Sequence, residues 1–318
     1  MYRVELITPD EKDRLFEVYS PRLLYQDKAN IYGCCIKLLT DVRRFKEQWE
    51  DNFFFMDENM RSHGRVVVLG EGGEPLVRYD PYTNTAFVTG VEYYGWVKSI
   101  ALAVAGDILE DEHGIYHVHG AAIDVDGRGV AIVAPPKTGK TTHSFGLLRL
   151  PESRLVADDW FFVRFFERSV LAFGSEKNSY VEADIAEIWE EFRPLMRDAV
   201  FDERGRAIVN VRWIVGRGGV IPMTTMRKVV ILKRDPGDPA VSRRVDAEEA
   251  LDFLVRHDFC NPHQLVRDER KMRIRREFFR RLLERTEVYL VNTTGPPHAT
   301  HAEIVRIVRG RSSGSHEP

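Results

Sequence analysis

The stretch Ala134-Pro135-Pro136-Lys137-Thr138-Gly139-Lys140-Thr141-Thr142 decides how this chain is read. It follows the phosphate-binding pattern Gly-x-x-x-x-Gly-Lys-[Ser/Thr], with Ala134 in the place of the first glycine. The spacing has a physical reason. A strand delivers the chain into a tight loop whose backbone N–H groups turn inward around a phosphate chain, and the following helix adds partial positive charge at its N-terminus. Lys140 can then reach the β- and γ-phosphates, and the Thr141 hydroxyl can ligate Mg²⁺. The flanks agree: 129–134 is a short apolar, β-branched run, and 140–149 has helical character. Ala134 tolerates positive φ poorly, and Pro135 and Pro136 each lack an N–H donor. The cradle is therefore expected from Pro136, Lys137, Thr138, Gly139, Lys140, Thr141 and Thr142, with donors only from 137 onward.

Outward from the loop, the chain reads as α/β with mixed strands. Residues 116–125 and 130–134 flank Asp126-Gly127, a hairpin signal that leads into the loop. Upstream, Val97, Ile100, Ala101, Val104, Ile108 and Leu109 recur at helical spacing, which predicts a packed helix over 93–112. Downstream, 154–157 reads as a strand ending at Asp158-Asp159, and 160–166 as another. Then come a polar loop over 173–180, a helix over 185–195, strands at 207–215 and 227–233, helices at 247–255 and 270–285, a strand at 288–291 and a last helix at 301–308. Residues 1–95 have a different texture, with a near-helical 41–58 and strands at 65–69 and 85–89, and read as an α+β region able to carry partner specificity. The catalytic region is expected over 96–310, and 311–318 has a disordered composition.

Composition narrows the classes. With 318 residues, 43% apolar and 30% charged, the chain has the make-up of a water-soluble protein. A net charge of −3 gives no overall pull toward nucleic acid. No apolar run approaches the roughly 18 residues of a membrane span, and the first residues lack signal-peptide features, so a cytoplasmic location is expected. The three cysteines, Cys34, Cys35 and Cys260, form neither a disulfide framework nor a zinc spacing; the adjacent pair reads as buried filler.

The chemistry gathers near the loop. Asp158 and Asp159 sit at a strand's C-terminal end, where α/β proteins place their sites. Two adjacent carboxylates suit a division of labour in which one holds Mg²⁺ and the other takes a proton from an attacking hydroxyl. His119, in Tyr116-His-Val-His-Gly120, is either a packed strand residue or one that faces the transferred phosphoryl group. Arg212 is either a surface residue or a phosphate-facing charge that stabilises the transition state. The arginine-rich 267–285 reads as a helix with a buried apolar stripe and solvated charges.

In order and spacing, His119-Gly120-Ala-Ala-Ile-Asp124, Gly129-Val-Ala-Ile-Val, Lys137-Thr-Gly139-Lys140-Thr141 and Leu155-Val-Ala-Asp158-Asp159 resemble the catalytic domain of HPr kinase/phosphorylase, whose fold is related to phosphoenolpyruvate carboxykinase. The resemblance covers 115–165 and thins over 166–310. It implies a mixed-sheet P-loop kinase core behind the N-terminal α+β region. Lys140 and Thr141 would then bind ATP phosphates and Mg²⁺, Asp158 would act as general base toward a serine hydroxyl, Asp159 would hold metal, and His119 would assist beside the phosphates. The family's glycine-rich signature is absent; Phe173-Gly-Ser-Glu176-Lys-Asn-Ser-Tyr180 stands there instead, offering Glu176 as a metal carboxylate. That departure points to a divergent member and away from HPr itself and the reverse phosphorylase reaction. The expected activity is ATP- and Mg²⁺-dependent phosphorylation of a hydroxyl, on serine of a protein or peptide. A small-molecule hydroxyl kinase and a non-catalytic nucleotide-binding regulator are the rivals. Family members form oligomers, so a homo-oligomer is compatible; a membrane or nucleic-acid partner is not expected.

Overall fold

The computed structural model describes residues 1–310; the tail expected to be disordered, 311–318, lies outside them. The chain is α/β with mixed sheets. Its N-terminal region builds a seven-stranded sheet in the order Arg3–Leu6, Leu76–Asp80, Thr85–Thr89, Gly64–Val68, Cys34–Thr40, Tyr25–Ile31, Phe54–Phe55. Strand Thr85–Thr89 falls where the β-branched pattern places it. The hairpin Tyr25–Ile31/Cys34–Thr40 lies outside the strands expected from sequence: its turn is Tyr32-Gly33, with φ of +50° and +81°. Two positive φ values match the right-handed twist of a two-residue hairpin. Cys34 and Cys35 are buried there, as expected.

Helix Tyr94–His113 is the element that joins the halves. It is apolar on nearly every side, so it must lie between two layers rather than on a surface. Ile100, Val104 and Ile108 share one core with Val66, Val68 and Tyr79 of the N-terminal sheet, and with Trp160, Phe162 and Leu265 of the remainder. The expected boundary at 95/96 falls within the first turn of this helix. Its buried charges find partners. Lys271 Nζ meets Asp107 at 2.6 Å and Glu110 at 3.1 Å, and Lys98 reaches the site described below.

In the remainder of the chain, the long strand Met223–Lys233 is the centre of a nine-stranded sheet. Its first residues pair antiparallel with Ser169–Gly174, beyond which lie Trp160–Phe166 and Tyr116–His119. Its later residues pair parallel with Arg128–Val133 on one side and Glu287–Asn292 on the other. Past Arg128–Val133 come Ala121–Val125 and Ser153–Ala157. The Asp126-Gly127 turn has φ of +53° and +77°, the hairpin read from the sequence. Because Arg128–Val133 and Ser153–Ala157 both run antiparallel to Ala121–Val125, their C-terminal ends emerge on the same edge as those of Met223–Lys233 and Glu287–Asn292. Such an edge is where open α/β sheets bind ligands.

Three expectations need correction. The polar loop at 173–180 instead holds the end of Ser169–Gly174 and the start of Ser179–Glu182, which joins a small sheet with Arg206–Val209 and Val200–Phe201. The helix expected over 185–195 is broken, because Trp189 leaves helical dihedrals (φ −124°, ψ 96°) and its indole N–H donates to the Thr142 carbonyl at 2.8 Å. The strand expected over 207–215 stops at Val209, and Arg212–Val215 is a helical turn. The arginine-rich segment is helix Glu269–Glu284, burying Phe278, Phe279, Leu282 and Leu283 as expected, but its charges are not all solvated, because Lys271 and Arg275 are buried against the acidic groups of helix Tyr94–His113.

Candidate active site

The loop 134–139 joins strand Arg128–Val133 to helix Lys140–Leu148. Left-handed conformations fall on Lys137 (φ +64°) and Gly139 (φ +92°), not on Ala134, so alanine in the first glycine's place carries no backbone cost. Thr138 Oγ1 donates to the Pro135 carbonyl at 2.7 Å and closes the loop on itself. Behind it, the buried rings of His143 and His301 stack at 5.9 Å. Gly146 is required there, because a Cβ would lie 2.5 Å from the His301 ring.

The two aspartates occupy different environments. Asp158 is buried, and its Oδ1 accepts from Ser144 Oγ at 3.2 Å, one turn into the loop helix. Lys140 Nζ donates to the Asp158 carbonyl at 3.0 Å and to Asp159 Oδ1 at 2.7 Å. Asp159 also meets His119 Nε2 at 3.3 Å and Lys98 Nζ at 3.0 Å. Lys98 Nζ in turn lies 3.1 Å from Glu176 Oε1, which also accepts from Asn52 Nδ2 at 3.3 Å. Two carboxylates, two ammonium groups and the His119 ring thus form one connected cluster, with the Asp158 carboxyl beside it on Ser144.

Their proton affinities separate. Burial pushes the Asp158 carboxyl up; Lys140 opposes this and the Asp159 charge reinforces it. Burial also works against charge on Asp159, but Lys140, Lys98 and His119 outweigh it and hold this carboxyl well below the usual range. Glu176 is raised by burial against the pull of Lys98. For Lys98, burial disfavours the ammonium, yet Glu176 and Asp159 keep it protonated beyond the ordinary lysine range. One group suited to accept a proton therefore stands beside one that stays anionic.

His119 is set from behind. Its Nδ1 lies 2.7 Å from the Cys260 carbonyl and its Nε2 3.3 Å from the Asp159 carboxylate, so each ring nitrogen faces a group that can only accept. That carbonyl belongs to a turn in which Asp258, Phe259 and Cys260 all have positive φ, +52°, +52° and +55°. Left-handed backbone costs non-glycine residues roughly 1–2 kcal/mol each. The turn is held by Gln264 Nε2, which donates to the Asp258 and Asn261 carbonyls at 3.1 and 3.2 Å, and by Phe259 stacked on Phe279. His117, on the same strand, is buried against Gly106 and plays no part in the cluster.

A cavity of about 840 Å³ opens over the loop. Residues 134–143 and His119 form one wall; Val181, Ile185, Thr293 and Pro297 contribute to the other. Of the residues expected from sequence, Pro136, Lys137, Thr138, Gly139, Lys140, Thr141, Thr142 and His119 come together here. Asp158, Asp159, Glu176 and Arg212 line a narrow crevice beside it instead. Arg212 does not enter the nucleotide-sized cavity, and its guanidinium lies 5.6 Å from the Phe54 ring centre. Among the described residues, no group of three or more His, Cys, Asp or Glu has metal-holding geometry. The donor chemistry fits Mg²⁺ in a narrower way: a hydroxyl at Thr141 and the anionic Asp159, with phosphate oxygens completing the shell, as Mg²⁺ commonly binds. Glu176 does not join that set, because Lys98 stands between it and Asp159.

The residue that sequence reading missed is Lys98. The signal was a lysine within the apolar run of helix Tyr94–His113, which has no polar face to solvate it and so demands a buried carboxylate. No known family model matches the chain, and no curated protein matches it. No helix among the described residues is long and apolar enough to cross a membrane.

Proposed function

We propose that this chain is an ATP- and Mg²⁺-dependent kinase of the HPr kinase/carboxykinase fold type, acting in the cytoplasm and transferring the γ-phosphoryl group to a serine hydroxyl of a protein or peptide. One observation carries the reading: the phosphate-loop lysine, Lys140, lines a cavity large enough for a nucleotide and is joined, through the Asp158 carbonyl and the Asp159 carboxylate, to an aspartate pair whose members differ in proton affinity.

The residues divide the work. Loop amides from Lys137 to Thr142 and the helix N-terminus hold the phosphates. Lys140 places charge on the β- and γ-phosphates. Asp158, with its raised proton affinity, accepts the proton as the acceptor oxygen attacks. Thr141 and Asp159 would hold Mg²⁺, which when bound neutralises phosphate charge. His119, anchored through Nδ1, presents Nε2 beside Asp159 and the phosphates. Positioning and charge stabilisation supply most of the rate in such a reaction, and a rigid cluster suits that.

The test is transfer from γ-labelled ATP with Mg²⁺ into cell extract split into macromolecular and small-molecule fractions, beside Lys140→Ala and Asp158→Asn. Label in a protein or peptide, lost in both variants, is the expected result. Label only in small molecules moves the acceptor to a metabolite. Tight ATP binding without transfer leaves a nucleotide-binding regulator.

A further inference from the structure

A second cavity, of about 420 Å³, lies beyond the phosphate loop from the first and shares Pro135 and Thr138 as its wall. Its apolar floor is Phe253 and Leu290; the rest of its lining is strongly charged. Two of its cations are already neutralised. Lys233 Nζ meets Asp235 at 3.1 Å and Asp238 at 2.6 Å, and Arg243 makes a forked pair with Glu249. Arg234 and Arg256 differ: both are exposed, and neither meets a carboxylate among the described residues. Arg256 spends only its Nε, on the Asp252 carbonyl at 3.2 Å, which leaves its terminal amines free. Arg234 follows the long strand at the ligand-binding edge and borders both cavities. His257, also in the lining, is exposed and commits Nδ1 to the Phe253 carbonyl at 2.8 Å.

Guanidinium groups match the paired oxygens of carboxylate and phosphate, and two unpaired ones in a cavity of ligand size form an anion site. Its position says what the anion belongs to. One wall is the loop that would hold the donor phosphates. The helix that supplies Arg256, Ala247–Arg256, runs within two residues into the left-handed turn that fixes His119. We infer that this cavity is the acceptor's anion subsite: the hydroxyl to be phosphorylated belongs to a peptide segment or small molecule that also carries a carboxylate or phosphate. The identity of the occupant rests on the kinase reading; the anion site stands on its own geometry.

The test is calorimetric titration of the full chain, with ADP at saturation, against inorganic phosphate, a serine peptide flanked by glutamates, and glycerate. Phosphate and one of the two hydroxyl-bearing probes are expected to bind, weakened about tenfold or more in Arg256→Ala and partly restored in Arg256→Lys. Whichever probe binds separates peptide from small molecule. Arg256 is exposed, so an unchanged melting temperature confirms that the variant is folded. Binding by none of the three, or binding untouched by both Arg256→Ala and Arg234→Ala, overturns the subsite. Arg256-dependent binding of phosphate alone overturns its assignment to the acceptor. A wild-type chain that takes phosphate here but never ATP overturns the kinase reading and leaves the anion site standing.

Discussion

Lys140 Nζ and Asp159 Oδ1 stand 2.7 Å apart, so the lysine of the phosphate loop and the aspartate two strands away form one electrostatic unit. The ammonium is aimed along the sheet edge by a carboxylate and by the Asp158 carbonyl. Removing it in Lys140→Ala deletes a charge-assisted contact to phosphate, a loss of about 2 kcal/mol or roughly 30-fold in ATP affinity. Titration calorimetry checks this, and unchanged affinity would sink the phosphate-loop reading.

Asp158→Asn keeps the shape of the buried side chain but cannot accept a proton. Transfer is expected to fall by about 10²–10⁴, with ATP affinity retained. Steady-state rates and equilibrium binding, measured on the same preparation, separate the two. A variant that loses both together assigns Asp158 to binding instead.

Lys98→Met leaves Glu176 and Asp159 without their shared cation. Breaking a buried ion pair from one side costs about 3–5 kcal/mol, so urea unfolding should shift strongly. Lys98→Met/Glu176→Leu, which also removes the stranded carboxylate, should recover part of that loss. Equal instability of the single and double variants would mean that packing, not charge, sets the role of Lys98.

Four histidines make the fold acid-sensitive. Burial pushes His117 and His263 down to about 3, and His143 and His301 down to about 4. The unfolded chain takes up these protons as pH falls below about 6.5, while the folded chain does not until far lower. Stability is therefore lost as pH falls from about 6.5 toward 4, with a slope approaching about 1.4 kcal/mol per pH unit for each histidine. Asp158 and Glu176, raised in the fold, act in the opposite direction over part of that range. Urea midpoints between about pH 7.5 and 5.5 test the sum, and ring signals of the four histidines that titrate near 6.5 in the folded chain would overturn it.

Gln264→Ala releases the carbonyls that hold the left-handed turn, and should cost about 2–3 kcal/mol in stability. It should also cut transfer by about tenfold at unchanged ATP affinity, because His119 loses its anchor. Nitrogen chemical shifts of His119 report the effect directly: the Nδ1 signal should move as its hydrogen bond to the Cys260 carbonyl is lost.

Local sequence carried a good part of this architecture. The strand–loop–helix at 129–148, the Asp126-Gly127 hairpin and the aspartates after 154–157 rest on near neighbours, so periodicity and turn chemistry suffice. Contacts between distant residues did not show. Lys98 and Asp159 are 61 positions apart, and only the packed helix brings them together. The turn at Asp258-Phe259-Cys260 contains no glycine, and beyond Asp258 nothing local marks it as left-handed; the hydrogen bonds from Gln264 hold it. Glu176 and Arg212 look like site residues from their place after strands, but Lys98 separates Glu176 from Asp159, and the Arg212 guanidinium lies near the Phe54 ring.

Helix Tyr94–His113 packs its length against the N-terminal sheet while one of its lysines grips the aspartate beside the phosphate loop. It therefore links that sheet physically to the aspartate. Sliding it along its axis by a single residue's rise, about 1.5 Å, can take the Lys98 ammonium out of ion-pair range of Asp159 and Glu176. A shift of the helix against the outer sheet would then be felt as a change of charge beside the loop.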